Sequence, residues 1–295
     1  MDNVVQIKPR PRDYFNQESD LYFTVWERPV AFLGSGDTPY VNPAYKAIVR
    51  LINDKPVQIG MVGHGYKVIP MKDICHQVES ELCTAMSHEE LKDVATTESM
   101  SYKGGMLHKQ YMFKNLKVDI SDNSNAVFRV IVVTAYDGKS SFKLYTGSIN
   151  FFCMNGMVDG VFDMMVRRHT SGLTIPSLTE RIRKSIDIFY TRADTFKKWV
   201  GKEITPEQAE TAFKAMPNVS ESRVGQLMDR YQRETWMHGP TVWALYNAAT
   251  YFASHDSDEF SVKKTGNDNV AATLLHREKQ ISGWEKSEQF QQLAA

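Results

Sequence analysis

Residues 126–160 combine cationic and aromatic side chains in a pattern that suits binding to a nucleic-acid strand. Two runs rich in β-branched and aromatic residues flank Asp137-Gly138, and a two-residue Asp-Gly loop between such runs is typical of a β-hairpin. Because side chains alternate between the faces of a strand, the predicted register, in which Val133 faces Phe142, makes one face mixed basic and aromatic. That face carries Tyr136, Lys139, Lys143 and Tyr145 around Val130 and Val132. Single-strand binding needs cations for the phosphates and aromatic faces for the bases.

The segment after the hairpin is the most basic part of the chain. Residues 161–202 contain nine Lys and Arg against four Asp and Glu. Five of these cations could extend the hairpin face into a longer track: Arg167, Arg168, Arg181, Arg183 and Lys184. Two other interpretations stay open. The helical cations could form an ordinary solvated face, and a helix could cover the hairpin face while its lysines reach to water.

The elements that must position these residues indicate an α+β protein. Residues 106–120 read as a strand and residues 122–125 as a turn, so that with the hairpin they predict a central antiparallel β-meander. A helical region follows, with a long helix opening at a capping box formed by Ser177 and Glu180. Earlier, residues 44–53 read as a short helix. The predicted segments are a flexible basic leader (1–20), the region with the meander (21–160), a helical region (161–256) and a polar tail with a peripheral helix (257–295).

Composition restricts the function classes. Lys plus Arg equals Asp plus Glu at 35 each, so nucleic-acid binding must come from a local patch. No apolar run is long enough for a membrane span, and three cysteines do not make a disulfide framework. These features predict a cytoplasmic protein with no cofactor and no metal site. The common catalytic signatures are missing from the sequence, and a lone Cys153 is more typical of packing than of a nucleophile. We therefore expect a non-catalytic protein.

Three short elements resemble a family of phage- and plasmid-borne proteins that is defined only as a domain of unknown function. They are YKVIP at residues 66–70, FCMNG at 152–156 and WALYNAAT at 243–250. The resemblance implies a viral or mobile-element origin and supplies no mechanism. The order of elements is also similar to that of phage single-strand annealing recombinases of the Red-beta and Erf type. That similarity implies homo-oligomers that hold single-stranded DNA in a groove lined by a hairpin and a helix.

Two functions are consistent with these patterns. In the first, the protein binds single-stranded DNA for phage recombination or replication and extends this to annealing complementary strands. In the second, it is a counter-defence protein that binds and inhibits a host immune enzyme. A continuous basic strip would favour the first function, and an apolar patch with a polar rim would favour the second.

Overall fold

A computed structural model of the chain describes residues 9–150, 157–170, 177–255, 257–263 and 269–295. Within these ranges two antiparallel sheets are followed by a run of helices. The α+β prediction is therefore confirmed, including the central meander and the helical C-terminal half.

The first sheet has three strands in sequence order: β1 (Trp26–Leu33), β2 (Pro39–Ile52) and β3 (Lys55–Gly63). The predicted helix at residues 44–53 is wrong, because most of that segment belongs to β2. Its β-branched residues suit a pleated strand, and β2 pairs with β1 on one side and β3 on the other. This pairing satisfies the backbone without a helix.

The second sheet is the predicted meander, with five strands in sequence order: β4 (Val94–Ser101), β5 (Met106–Ser121), β6 (Ser124–Ala135), β7 (Phe142–Asn150) and β8 (Met157–Arg167). The turn predicted at residues 122–125 lies between β5 and β6, as expected. Strand β8 continues to Arg167, so the predicted boundary at residue 160 falls inside the sheet.

The register of the β6–β7 hairpin differs by one residue from the prediction. Val133 faces Lys143 instead of Phe142, and the strands are joined by residues 136–141 instead of two residues. Tertiary contact explains the longer connection. The backbone N–H of Lys139 donates to Asp137 Oδ1 at 2.9 Å, and Gly138, at φ +75°, packs against Val62 of β3.

The one-residue shift exchanges the two faces of β6 relative to β7, so that Val130 and Val132 face the main core together with Leu144. Tyr145 and Ile131 lie on the opposite face. Both faces are covered by helices.

The helices are α1 (Met71–Ala85), α2 (His88–Leu91), α3 (Thr179–Gly201), α4 (Pro206–Lys214), α5 (Glu221–His238), α6 (Val242–Ser254), α7 (Val270–Glu285) and α8 (Glu288–Ala294). Helices α1 and α3 pack on the main-core face of the five-stranded sheet, and α7 crosses the other face. The predicted Ser177 capping box is wrong. Glu81 of α1 instead accepts hydrogen bonds from the backbone N–H groups of Leu178 (2.6 Å) and Thr179 (3.1 Å). Within the described ranges no helix combines the length and apolarity of a membrane span.

Both ends of the described chain are packed on the body, including Phe15 within the predicted leader and the helix predicted in the polar tail. Phe15 is buried with its ring edge-on to Tyr111. Near the C-terminus, Trp284 and Phe290 are fully buried in the main core. These large apolar side chains gain roughly 2–3 kcal/mol each from burial, which holds the terminal segments in place.

Candidate nucleic-acid interface

Five strand ends of the five-stranded sheet lie around the β6–β7 connection. The register places Met106 opposite both Ser101 and Ala135, and Phe142 opposite Arg167. Because neighbouring strands are antiparallel, the residues after β4, between β6 and β7 and after β8 all lie at this one end of the sheet. Five cations sit there: Lys103, Lys139, Lys143, Arg167 and Arg168. All are exposed except Lys143, which is half-buried.

A sixth cation, Lys67, is held beside the others by the segment that precedes α1. Tyr66 forms a bridge with Thr170, and the backbone N–H of Lys67 donates to the His169 carbonyl at 3.1 Å. The Tyr66 ring stacks on His169 with 5.0 Å between centroids. Its hydroxyl donates to the Ala135 carbonyl at 2.6 Å. We call the six cations Lys67, Lys103, Lys139, Lys143, Arg167 and Arg168 the basic end.

The six cations of the basic end form no salt bridge within the described part of the chain. Among the residues that the structure describes, no Asp or Glu lies within ion-pair distance of any of its six side chains. Clustered charges of one sign create a local potential that attracts ions of the opposite sign even when the net charge is zero. This end of the sheet is therefore suited to a polyanion.

A cleft of about 580 Å³ opens beside the basic end, between β3 and the β6–β7 connection. Its walls include Met61 and Gly63 of β3, Tyr66 and Lys139. The Lys139 ammonium lies 4.5 Å from the centroid of the Tyr102 ring. The Lys139 side chain is exposed at the rim of the cleft.

The carboxyl group of Asp137 forms the buried floor of this cleft. Burial raises the pKa of Asp137, against the hydrogen bond from the Lys139 backbone and the Lys139 charge. Asp137 Oδ2 has no hydrogen-bond partner among the described residues. Only a glycine fits opposite it, because a Cβ on Gly60 would lie 2.5 Å from the Asp137 Cα. The close approach of β3 to the connection thus depends on Gly60.

Two of the predicted contact residues are not at the surface. Tyr136 is buried, and its hydroxyl accepts the backbone N–H of Met71 at 2.8 Å. Tyr145 is buried under α7, whose Lys279 ammonium lies 5.1 Å from the ring centroid. Burial raises the pKa of each phenol to about 12. The predicted exposure of Tyr136 and Tyr145 is therefore wrong, because Tyr136 packs at the start of α1 and α7 covers the hairpin face that carries Tyr145.

The predicted cations of α3 have partners within the protein. Arg181 pairs with Asp163 at 2.5 Å, and Lys184 pairs with Glu180 at 3.2 Å. Arg183 donates to main-chain carbonyls at the end of α1. Asp163 lies four residues before Arg167 on β8, about 13 Å along an extended strand. The structure therefore separates these three cations from the basic end in both position and charge balance.

Sequence analysis did not identify Lys67 and Lys103 as candidate binding residues. Both lie far from the hairpin in the chain, and only the sheet topology and the Tyr66–Thr170 bridge bring them together with Lys139. Lys143 also lies close to Lys279 of α7, a cation that the sequence pattern did not place near the hairpin. Burial lowers the pKa of Lys279 on α7, and the Lys143 charge lowers it further.

A second polar cluster that sequence reasoning missed lies buried beneath α1. Lys109 pairs with Glu79 (3.1 Å) and Glu98 (2.7 Å) and donates to the Tyr22 hydroxyl at 2.7 Å. Burial lowers the Lys109 pKa, but the Glu98 hydrogen bond and the Glu79 charge outweigh it, so that the pKa is raised. The Lys109 side chain is 1% exposed, so its ammonium is shielded from solvent. We infer that this cluster stabilises the packing of the N-terminal segment against α1 and the sheet.

The part of the chain that forms the basic end and the cleft also matches a protein family. A family model described as a domain of unknown function (DUF932) matches residues 58–280. The chain belongs to this family. The matched range includes all six cations of the basic end, most of β3 and the β6–β7 connection. It also includes the YKVIP, FCMNG and WALYNAAT elements. The FCMNG element, with Cys153, lies outside the described residues.

The other two comparisons add no relative. No curated protein and no solved structure matches the chain. Family membership therefore identifies the domain, and the function rests on the geometry of this chain.

Proposed function

We propose that this protein binds single-stranded DNA at the basic end. It would do so as a non-catalytic DNA-metabolism protein in the cytoplasm of a phage-infected host. The observation that carries the proposal is the set of six clustered cations with no carboxylate partner among the described residues. Each phosphate that binds one of them releases condensed counterions, which drives association and makes it sensitive to salt.

The shape of the cleft favours a single strand over a duplex. A volume of about 580 Å³ is that of a pocket for one small molecule, so it has room for one nucleotide of a flexible single strand. Tyr66 lines this cleft with one ring face stacked on His169, and the Lys139 ammonium lies over the Tyr102 ring. Both half-buried rings therefore lie beside the phosphate-binding cations. Aromatic rings bind bases of any sequence by stacking.

Strand annealing is the further step in this proposal. The resemblance to phage annealing recombinases motivates it, and it requires that the bound strand keep its pairing edges toward solvent. Contacts through phosphates and ring faces meet this requirement, because they leave the Watson–Crick edges free.

The test compares two triple variants that remove equal charge. One carries Lys139→Ala, Arg167→Ala and Arg168→Ala, which removes half of the basic end. The matched control removes three paired cations of α3: Arg181→Ala, Lys184→Ala and Lys197→Ala. Binding to a fluorescent single-stranded oligonucleotide is measured by anisotropy at several salt concentrations, and circular dichroism checks that both variants fold.

The proposal predicts that the first variant loses most of its affinity and that its salt slope becomes shallower by about 2, from about 0.7 per phosphate contact. The control variant should keep most of the wild-type affinity. Equal loss in both variants would point to general charge attraction and reject the basic end as the site. No binding by the wild type at low salt would reject DNA binding and favour the alternative of a host-enzyme inhibitor.

A further inference from the structure

The three-stranded sheet extends an arm away from the body of the protein. The arm comprises residues 29–45, which form the ends of β1 and β2 and the turn between them. Its turn is closed by a hydrogen bond from the Gly34 N–H to the Thr38 carbonyl at 2.9 Å. Four large apolar side chains at its tip are more than half exposed: Phe32 (58%), Leu33 (68%), Tyr40 (52%) and Val41 (63%).

Both faces of the arm are apolar. Phe32 pairs with Tyr40, and their rings stack at 6.0 Å on one face. The neighbouring Ala31–Val41 pair and Leu33 lie on the other face, because side chains alternate along a strand. A strand pair that is apolar on both faces and covered on neither is unusual for a monomer surface, where large apolar patches mark interaction sites.

The arm also lacks charge. Between Arg28 and Lys46 the only charged residue is Asp37, which lies in the turn. A surface without charge cannot select a partner by electrostatic complementarity, and an apolar surface is complementary to a second copy of itself. With equal numbers of acidic and basic residues, two copies also approach each other without net repulsion.

We propose that the arm is a self-association surface, with the arm of one copy packed face to face on the arm of a second copy. Such a two-fold contact, in which the same patch is used on both sides, is the commonest form of homo-oligomer interface. This proposal is independent of DNA binding, because the arm shares no residue with the basic end. Residues 29–45 also lie outside the range that the family model matches.

The exposed area corresponds to a small contact. If a large side chain presents about 200 Å² when fully exposed, the Phe32–Tyr40 face exposes roughly 220 Å² at the tip and the Leu33–Val41 face roughly 260 Å². Trp26, Tyr45, Leu51 and Met61 on the same sheet are between 37% and 54% exposed and enlarge the apolar surface. A face-to-face contact buries one face of the arm, which is less than the roughly 800 Å² per partner of a standard interface, so we expect weak self-association.

The contact uses the faces of the arm and not its edge. Pro29 lies in β1, which is the edge strand of the sheet, and a proline has no N–H with which to continue a ladder. The register between β1 and β2 also shifts at Pro29 and Val30. Both features oppose continuous edge-to-edge pairing.

The experiment measures mass in solution by light scattering, without DNA, from about 1 to 100 µM. Two variants each place charge on one face of the arm: Phe32→Glu with Tyr40→Glu, and Leu33→Glu with Val41→Glu. A matched control charges two exposed apolar residues of α5 outside the arm, Trp236→Glu with Met237→Glu. Because all six side chains are largely exposed, the variants should keep the wild-type melting temperature.

The wild type should have a mass above the 33.7 kDa of one chain. At least one arm variant should return it to 33.7 kDa, with self-association weakened at least about 100-fold by the cost of burying unpaired carboxylates. The α5 control should keep the wild-type mass. A wild type that stays at 33.7 kDa throughout, or an assembly that neither arm variant dissociates, would overturn the proposal.

Discussion

Replacing Lys109 with Met should destabilise the protein by about 3–5 kcal/mol, the range for removal of one partner of a buried ion pair. The side chains of Lys109 and Glu79 are 1% and 0% exposed, so the variant leaves the Glu79 carboxylate without a cation in the protein interior. Gln17 and Tyr111 still donate hydrogen bonds to Glu79, but neither neutralises its charge. For a chain of this size the loss corresponds to a decrease in melting temperature of roughly 6–15 °C.

The assay is thermal or urea unfolding followed by circular dichroism at neutral pH. The surface pair of Lys214 and Glu210 provides the control. Lys214 Nζ lies 2.7 Å from Glu210 Oε1, and both side chains are 47% exposed. Lys214→Met should leave the free energy of unfolding close to that of the wild type, because exposed ion pairs contribute little. Adding Glu79→Gln to Lys109→Met should recover part of the loss, since the second change removes the unpaired charge. A loss below 1 kcal/mol for Lys109→Met, or strictly additive losses in the double variant, would refute this reasoning.

Three further substitutions give smaller effects. Asp137→Asn should remove a decline in wild-type stability as pH rises through the ordinary pKa range of Asp. The folded-state pKa of Asp137 is raised by burial, so unfolding releases a proton in that range. A matched pair of urea titrations between pH 3 and 7 measures this. Glu81→Gln should act in the opposite direction. Burial raises the Glu81 pKa, but hydrogen bonds from Leu178 and its neighbours outweigh this and lower it. The stability that Glu81 contributes is therefore present above the ordinary Glu pKa and lost as pH falls through the lowered folded value, and identical acid profiles for variant and wild type would contradict this. Tyr136→Phe should cost about 1 kcal/mol through the lost hydrogen bond to Met71, with unchanged DNA binding, and weaker binding would return Tyr136 to the site.

Local patterns in the sequence were sufficient for most of the fold. The long helix predicted to begin after Ser177 is α3, which begins at Thr179. The alternation in β5 and the turn after it predicted the meander. These signals depend on side chains and backbone within a few residues of each other, so the rest of the fold does not change them.

The register of the β6–β7 hairpin depends on distant parts of the chain. An Asp-Gly pair favours a two-residue loop, but Gly138 packs against Val62 of β3 and holds a six-residue connection open. The other face of the hairpin is covered by α7, which begins at Val270. No pattern near Tyr145 records that cover.

The candidate site was predicted in part for the same reason. Lys139, Arg167 and Arg168 were identified as cations near the hairpin, and the structure brings them to one end of the sheet. Lys67 and Lys103 joined them only through the pairing of Tyr66 with Thr170 and the order of the strands. Residues 161–202 are basic in sum, but Asp163 and Glu180 neutralise Arg181 and Lys184 locally. A count of charges along a segment does not reveal such pairing.

The most direct test of the central claim is a salt-titrated binding curve for the wild-type protein with a labelled oligonucleotide, single-stranded against double-stranded. If the six cations of the basic end each bind a phosphate, the logarithm of the affinity should fall with the logarithm of salt concentration with a slope of about −4. Affinity for the single strand should then decrease by about 250-fold between 50 and 200 mM salt, and the duplex should bind more weakly at every salt concentration. A slope near zero, or equal affinity for single-stranded and double-stranded DNA, would contradict the account.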